Sequence, residues 1–158
     1  MQVNAKDVLD VLKEKKLRLV SAESCTGGLI AASLTNIPGS SDVFERGYVT
    51  YSNQSKIECL GVRENTLKEY GAVSPQTAEQ MAAGALKFSD ADIAVSVTGI
   101  AGPDGGDKAK PVGTVYFGLA TKTAVESYAY HFEGTRSNIR EKSMFTALNI
   151  ILDAVAED

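Results

Sequence analysis

A mixed α/β fold is predicted by three features of this sequence. Short β-branched or apolar runs alternate with alanine- and leucine-rich segments. Breakers rich in Gly, Pro, Ser and Asn separate them, and the last two strand-like runs are neighbours joined by a few residues. Alternation with helices requires crossover connections and parallel pairing, whereas the final pair predicts a late antiparallel hairpin. A length of 158 residues suits one domain spanning 1–158, and no repeat, linker or low-complexity tract divides it.

Asn4 is placed to cap a first helix, with Asp7 in its first turn and Val8, Val11 and Leu12 on one stripe. Residues 18–22 read as a buried strand that runs through a Ser/Thr/Gly turn into a helix over 29–34. After the breaker at 36–41, residues 46–51 form a second strand. Ser52 and Asn53 then cap a short helix carrying Lys56 to Leu60, and another helix covers 64–69. Ser74 and Pro75 open a helix that continues to about Phe88. Residues 93–98 are a buried strand leading into a long loop over 99–111. Strands over 113–120 and 125–132 make the hairpin. The last helix runs from Arg136 or Ser137 to Ala156, with Ile139, Met144, Ala147, Leu148, Ile151 and Val155 on its inner face.

Composition removes several function classes. Apolar residues make up 44% and charged residues 23%, with a net charge of −4, which argues against broad capture of nucleic acid or of an anionic membrane. The N-terminal sixteen residues are charged and amphipathic, without an apolar leader core, and no apolar run reaches ~18 residues; a cytoplasmic protein with no membrane partner is expected. Cys25 and Cys59 are expected as free thiols. With a single histidine, His131, there is no HExxH and no zinc spacing, and Asp104 and Asp107 among glycines read as a turn; no metal and no cofactor are expected.

Three polar segments follow strands, where open α/β sheets place ligands. In Ser24-Cys25-Thr26-Gly27-Gly28 a sharp turn precedes a helix whose free N–H groups can hold an anion or an oxyanion, or the residues simply cap the helix. In Tyr51-Ser52-Asn53-Gln54-Ser55-Lys56 the lysine is either a solvated surface group or, if buried, a depressed-pKa base. In Thr98-Gly99-Ile100-Ala101-Gly102 the glycines permit close approach to a ligand or merely turn the loop. Arg136 and Arg140, on one face of the last helix near its start, point to an anionic group such as a phosphate, or to surface ion pairs. Cys25 rivals Ser24 as a nucleophile, although no histidine stands by to activate it.

Taken together, the segments at 22–28, 44–53 with Lys56, 60–62, 71–74, 98–103 and 110–115 resemble the CinA C-terminal family, whose enzymatic members are nicotinamide-nucleotide amidases. The likeness covers essentially the whole chain, and the absence of the larger N-terminal domain of full-length members resembles the stand-alone amidase form. It implies a three-layer α/β/α sandwich around a mixed, mostly parallel sheet. It also implies a serine amidohydrolase that converts nicotinamide mononucleotide to nicotinate mononucleotide and ammonia. Ser24 would be the nucleophile, Lys56 its general base, and Tyr51 an aid to proton transfer or a holder of Lys56. Thr26, Gly27, Thr98 and Gly102 would line the substrate pocket, and Arg136 and Arg140 would meet the phosphate. A non-catalytic nucleotide-binding module is the alternative. A small-molecule nucleotide is thus the expected partner, and a homodimer is the expected assembly.

Overall fold

In the computed structural model residues 3–156 are described. The centre of the fold is made by β1 (Leu19–Glu23) and β3 (Ile93–Gly99), which are buried along essentially their whole length. Burial without alternation along a strand marks one covered on both faces. Strand β2 (Phe44–Val49) pairs parallel with one side of β1 and β3 with the other; β4 (Thr114–Thr121) and β5 (Val125–His131) extend the sheet antiparallel beyond β3. The order is β2-β1-β3-β4-β5, so four strands point one way and only β4 opposes them. Helical crossovers force the parallel part, and the three-residue connection between β4 and β5 forces the hairpin.

Helices α1 (Ala5–Glu14), α2 (Leu29–Thr35) and α6 (Arg136–Ala156) cover one face, while α3 (Asn53–Leu60), α4 (Glu64–Tyr70) and α5 (Pro75–Lys87) cover the other. The side chains that alternate along the strands differ in size between the two faces. Leu19, Val95, Val97, Phe117 and Leu119 pack toward α1, α2 and α6. Val20, Ala22, Ala94 and Ala120 face α5, which answers with Met81, Ala82 and Ala85. Small residues let α5 lie close to the sheet: Ser96 Oγ donates to the Ala78 carbonyl at 2.6 Å. A Cβ on Gly118 would fall 2.2 Å from the same carbonyl oxygen, so β4 needs glycine there.

Helix starts follow the expected chemistry. Asn4 and Asp7 form a reciprocal capping box on α1, Ser52 caps α3, and Ser74 caps α5 with Pro75 in its first turn. Thr135 and Asn138 exchange side-chain-to-backbone bonds at the start of α6. Two expectations shift. The second strand ends at Val49 rather than 51, because β1 offers its last acceptor, the Glu23 carbonyl, to Thr50 N–H and the chain then turns away. On α6, Met144 is only partly buried, while Ser143 is fully buried, its hydroxyl bonded back to the Ile139 carbonyl at 2.7 Å.

Candidate active site

Ser24 sits one residue past the end of β1, pinned where the sheet is most rigid. Its N–H donates to the Val97 carbonyl of β3 at 3.0 Å, and the Thr50 N–H donates to the adjoining Glu23 carbonyl at 2.9 Å. The last turn of β2 therefore crosses directly beside the serine. From there α3 starts at Asn53 and places Lys56 one turn in, pointing back under the loop.

Lys56 is 1% exposed, and its Nζ makes three contacts: Ser24 Oγ at 3.0 Å, the Thr50 carbonyl at 2.9 Å and the Tyr51 carbonyl at 3.3 Å. Among the described residues no carboxylate forms an ion pair with it. Burial without a counter-ion penalises the ammonium and lowers the pKa from 10.5 to about 8. Ser24 is itself buried. Neighbouring Cys25 is also buried, and its thiol is pushed up to about 11 by that burial, which keeps it protonated and a poor rival for the nucleophile role.

Glu23 revises the expected anion site at the start of α2. The side chain is fully buried, and its carboxylate accepts from Thr26 Oγ1 (2.7 Å) and from the N–H groups of Gly28 (3.2 Å), Ile30 (2.9 Å) and Ala31 (3.1 Å). The donors of the α2 terminus are thus already taken by the protein's own anion. Among the described residues, the N–H groups of this turn with no acceptor on another residue are those of Cys25 and Thr26. A glutamate ending a buried strand just before a Ser/Thr/Gly turn was the available signal for this cap.

The other expected residues gather around the same point, though several contacts differ in kind. Tyr51 holds Lys56 through its backbone carbonyl; its ring is largely exposed, and its hydroxyl accepts from Arg136 Nη2 at 3.0 Å. Arg136 also donates to the Gly102 carbonyl at 2.6 Å, joining the glycine loop after β3 to the tyrosine. Arg140 turns inward instead, with Nε on the Cys25 carbonyl (3.0 Å) and Nη2 on the Thr26 carbonyl (2.9 Å). Thr98 is buried and spends its hydroxyl on the Ala72 carbonyl at 2.8 Å. Gly27 is exposed beside Arg140, at a φ of +55°. Thr50 escaped sequence reading altogether, since its contribution is a carbonyl that any residue type supplies.

His131 lies on the edge strand β5 against the Val112 carbonyl, and no group of three or more His, Cys, Asp or Glu among the described residues is arranged for a metal ion. No helix among them is long and apolar enough to cross a membrane. A cavity of about 650 Å³ opens at the opposite end of the sheet, between α6 and β5, lined by residues such as Leu17, Tyr128 and Ile150. Neither Ser24 nor Lys56 lines it.

The chain matches the CinA C-terminal domain family over residues 1–155. It is similar to a CinA-like protein of Endomicrobium trichonymphae, at 55% identity over 89% of this chain and 33% of that protein. It is also similar to a nicotinamide-nucleotide amidohydrolase PncC of Enterobacter agglomerans, at 53% identity over 89% of this chain and 87% of that one. The crystal structure of the competence/damage inducible protein CihA from Agrobacterium tumefaciens aligns with a TM-score of 0.93 at 44% identity, covering 99% of both chains. The chain thus spans about a third of the length of relatives such as the Endomicrobium protein, and nearly the whole of the Enterobacter one.

Proposed function

This chain belongs to the CinA C-terminal domain family, and on that premise we propose that it is a cytoplasmic nicotinamide-nucleotide amidase working through Ser24 and Lys56. The observation that carries the proposal is the 3.0 Å contact between a buried, unpaired lysine and a buried serine at the end of the central strand. The name of the Enterobacter relative supplies the substrate class, a nucleotide bearing a carboxamide.

A neutral lysine amine has two N–H bonds and one lone pair. The Thr50 and Tyr51 carbonyls accept the two N–H bonds, which leaves the lone pair for the Ser24 hydroxyl. In the first half-reaction the hydroxyl proton passes to Lys56 Nζ as Ser24 Oγ bonds the carboxamide carbon. The tetrahedral intermediate then collapses: the C–N bond breaks, and the Lys56 ammonium gives its proton to the departing nitrogen, which leaves as ammonia. In the second, water attacks the acyl-Ser24 ester with Lys56 again as base, releasing the carboxylic acid and restoring the serine. Neither histidine nor metal takes part.

The exposed Arg136 guanidinium, steadied by Tyr51 and Gly102, is placed to receive the nucleotide phosphate. Gly27 is the exposed member of the expected lining and would contact the nucleotide directly; Thr26, Thr98 and Gly102 are buried and would shape the site from beneath. Ammonia release from nicotinamide mononucleotide, nicotinamide and NAD tests the whole reading. Native protein is expected to act on the mononucleotide alone, with Ser24→Ala lowering turnover by at least about 10³-fold while the fold is kept. Near-normal turnover in Ser24→Ala would refute the mechanism. Saturable nucleotide binding without ammonia from the native protein would leave a non-catalytic binding module.

A further inference from the structure

We propose that Arg140 is a positioning residue for the Ser24 reaction, aiming the backbone N–H groups of Cys25 and Thr26 at the oxyanion, rather than a ligand of the substrate phosphate. The inference rests on the amidase reading above and deepens it.

Arg140 reaches from the first turns of α6 to the nucleophile turn and donates from Nε and Nη2 to two successive carbonyls, those of Cys25 and Thr26. A planar fork fixes two peptide planes at once. In a trans peptide the N–H points opposite the carbonyl, so the bond to the Cys25 carbonyl turns the Thr26 N–H away from Arg140. The bond to the Thr26 carbonyl fixes the Gly27 N–H, which reaches the Cys25 N–H only indirectly, by holding the Ser24 carbonyl of the same peptide. Gly27 N–H closes the turn onto the Ser24 carbonyl at 3.1 Å, and among the described residues the Cys25 and Thr26 N–H groups have no acceptor on any other residue, although both residues are buried. Buried backbone donors without a partner are rare in folded proteins. Here the two stand directly after the nucleophile.

The rest of the turn is held from the other side. Glu23 fixes the Thr26 hydroxyl and the N–H groups of Gly28, Ile30 and Ala31. Since Glu23 consumes the donors at the start of α2, the negative oxygen that develops when Ser24 attacks has to be met by what is left in the turn. Arg136 and Arg140 therefore divide the work, although they share one helix face. Arg136 is exposed toward the approach, whereas Arg140 is partly buried against carbonyls.

The test compares native protein with Arg140→Lys and Arg140→Gln in two assays. One measures the rate at which a fluorophosphonate probe labels Ser24, followed by intact mass. The other measures kcat and KM on nicotinamide mononucleotide and on the phosphate-free riboside. Mispositioned donors should slow labelling and lower kcat by about 10–100-fold, by the same factor on both substrates, with KM changed less than about threefold. A loss confined to KM of the phosphorylated substrate, with labelling at the native rate, would make Arg140 a phosphate ligand and overturn the proposal. Loss of folding in both variants, judged by circular dichroism, would also overturn it by making Arg140 a determinant of the fold. If native protein turns over substrate but is equally reactive in all three forms, positioning fails while the amidase reading stands. If native Ser24 is neither labelled nor needed for turnover, both fall together.

Discussion

Two corners of the molecule bury a charged side chain next to the same serine, and they treat it in opposite ways. At the β1–α2 corner, Glu23 is enclosed by four donors, three of them backbone N–H groups. At the β2–α3 corner, Lys56 meets two carbonyl oxygens and a hydroxyl, with no anion to balance it. Both groups have lost water. The carboxylate recovers its solvation from the helix terminus, whereas the ammonium does not, and its pKa falls to about 8. Both are hydrogen-bonded; the difference is that Glu23 faces a helix terminus whose dipole favours an anion, whereas Lys56 faces neutral loop carbonyls and a hydroxyl, so the first holds a loop and the second is poised to lose its proton.

Replacing the lysine gives the largest break in this contrast. Lys56→Met should lower ammonia release by at least about 10³-fold, since the base and the acid for the leaving group vanish together. The fold should not suffer: burying an ammonium at neutral pH costs stability, so Tm at pH 7 is expected to stay level or rise by a few degrees in thermal unfolding. A matching fall in Tm would mean that Lys56 is compensated after all.

The carboxylate should behave in the reverse sense. Glu23→Ala strands three N–H groups and the Thr26 hydroxyl, and urea unfolding should register a loss of about 3–5 kcal/mol. Glu23→Gln keeps an acceptor oxygen but turns an amide donor against one N–H, for a smaller loss of about 1–2 kcal/mol. Activity should fall with the integrity of the turn in both. An alanine variant as stable as the native protein would show the corner to be inessential.

How far this contrast was legible in the sequence depends on which atoms carry it. The order of strands and helices could be read, because apolar periodicity and breakers encode it, whereas the residues around Ser24 and Lys56 left a helix cap and a solvated lysine open, and only the resemblance to the CinA family singled the two out. The starts of the helices were also written plainly, in Asn4, Ser52 and Ser74, whereas the small-residue face under α5 emerges only from the packing. Thr50 could not be found, since it acts through a carbonyl. For Tyr51 the resemblance implies either help in proton transfer or a hold on Lys56; the contact with the lysine is made by its carbonyl, which side-chain type does not encode, and its hydroxyl meets Arg136. Glu23 was passed over because a lone carboxylate at a strand end acquires meaning only once the helix terminus wraps around it. The two arginines, alike in sequence, separated only when α6 was docked against the turn.

A pH series sharpens the same comparison at a scale of tenfold per unit. Lys56 must be neutral to accept the serine proton, so kcat/KM should climb about tenfold per pH unit below 8 and level off above it. Stability carries the corresponding signature. The folded pKa of about 8 lies below the ordinary 10.5, so between those values the unfolded chain binds more protons and stability rises with pH. Below 8 both states are protonated and this contribution is flat. Both dependences should vanish in Lys56→Met; a rise in stability that persists there would assign the titration to another group.

The smallest expected effect separates the two halves of Tyr51. Tyr51→Phe removes the hydroxyl that accepts from Arg136 but leaves the carbonyl that accepts from Lys56. If the residue serves the base through its backbone, kcat should drop less than about tenfold and the apparent pKa near 8 should not move. The loss should instead fall on KM for the phosphorylated substrate, because the Arg136 guanidinium loses one of its two anchors. A kcat reduced by about 10²-fold or more with KM intact would place the phenol itself in the proton path. The compensation of Lys56 would then include a titratable side chain, and the contrast with Glu23 would narrow from a difference in kind to one of degree.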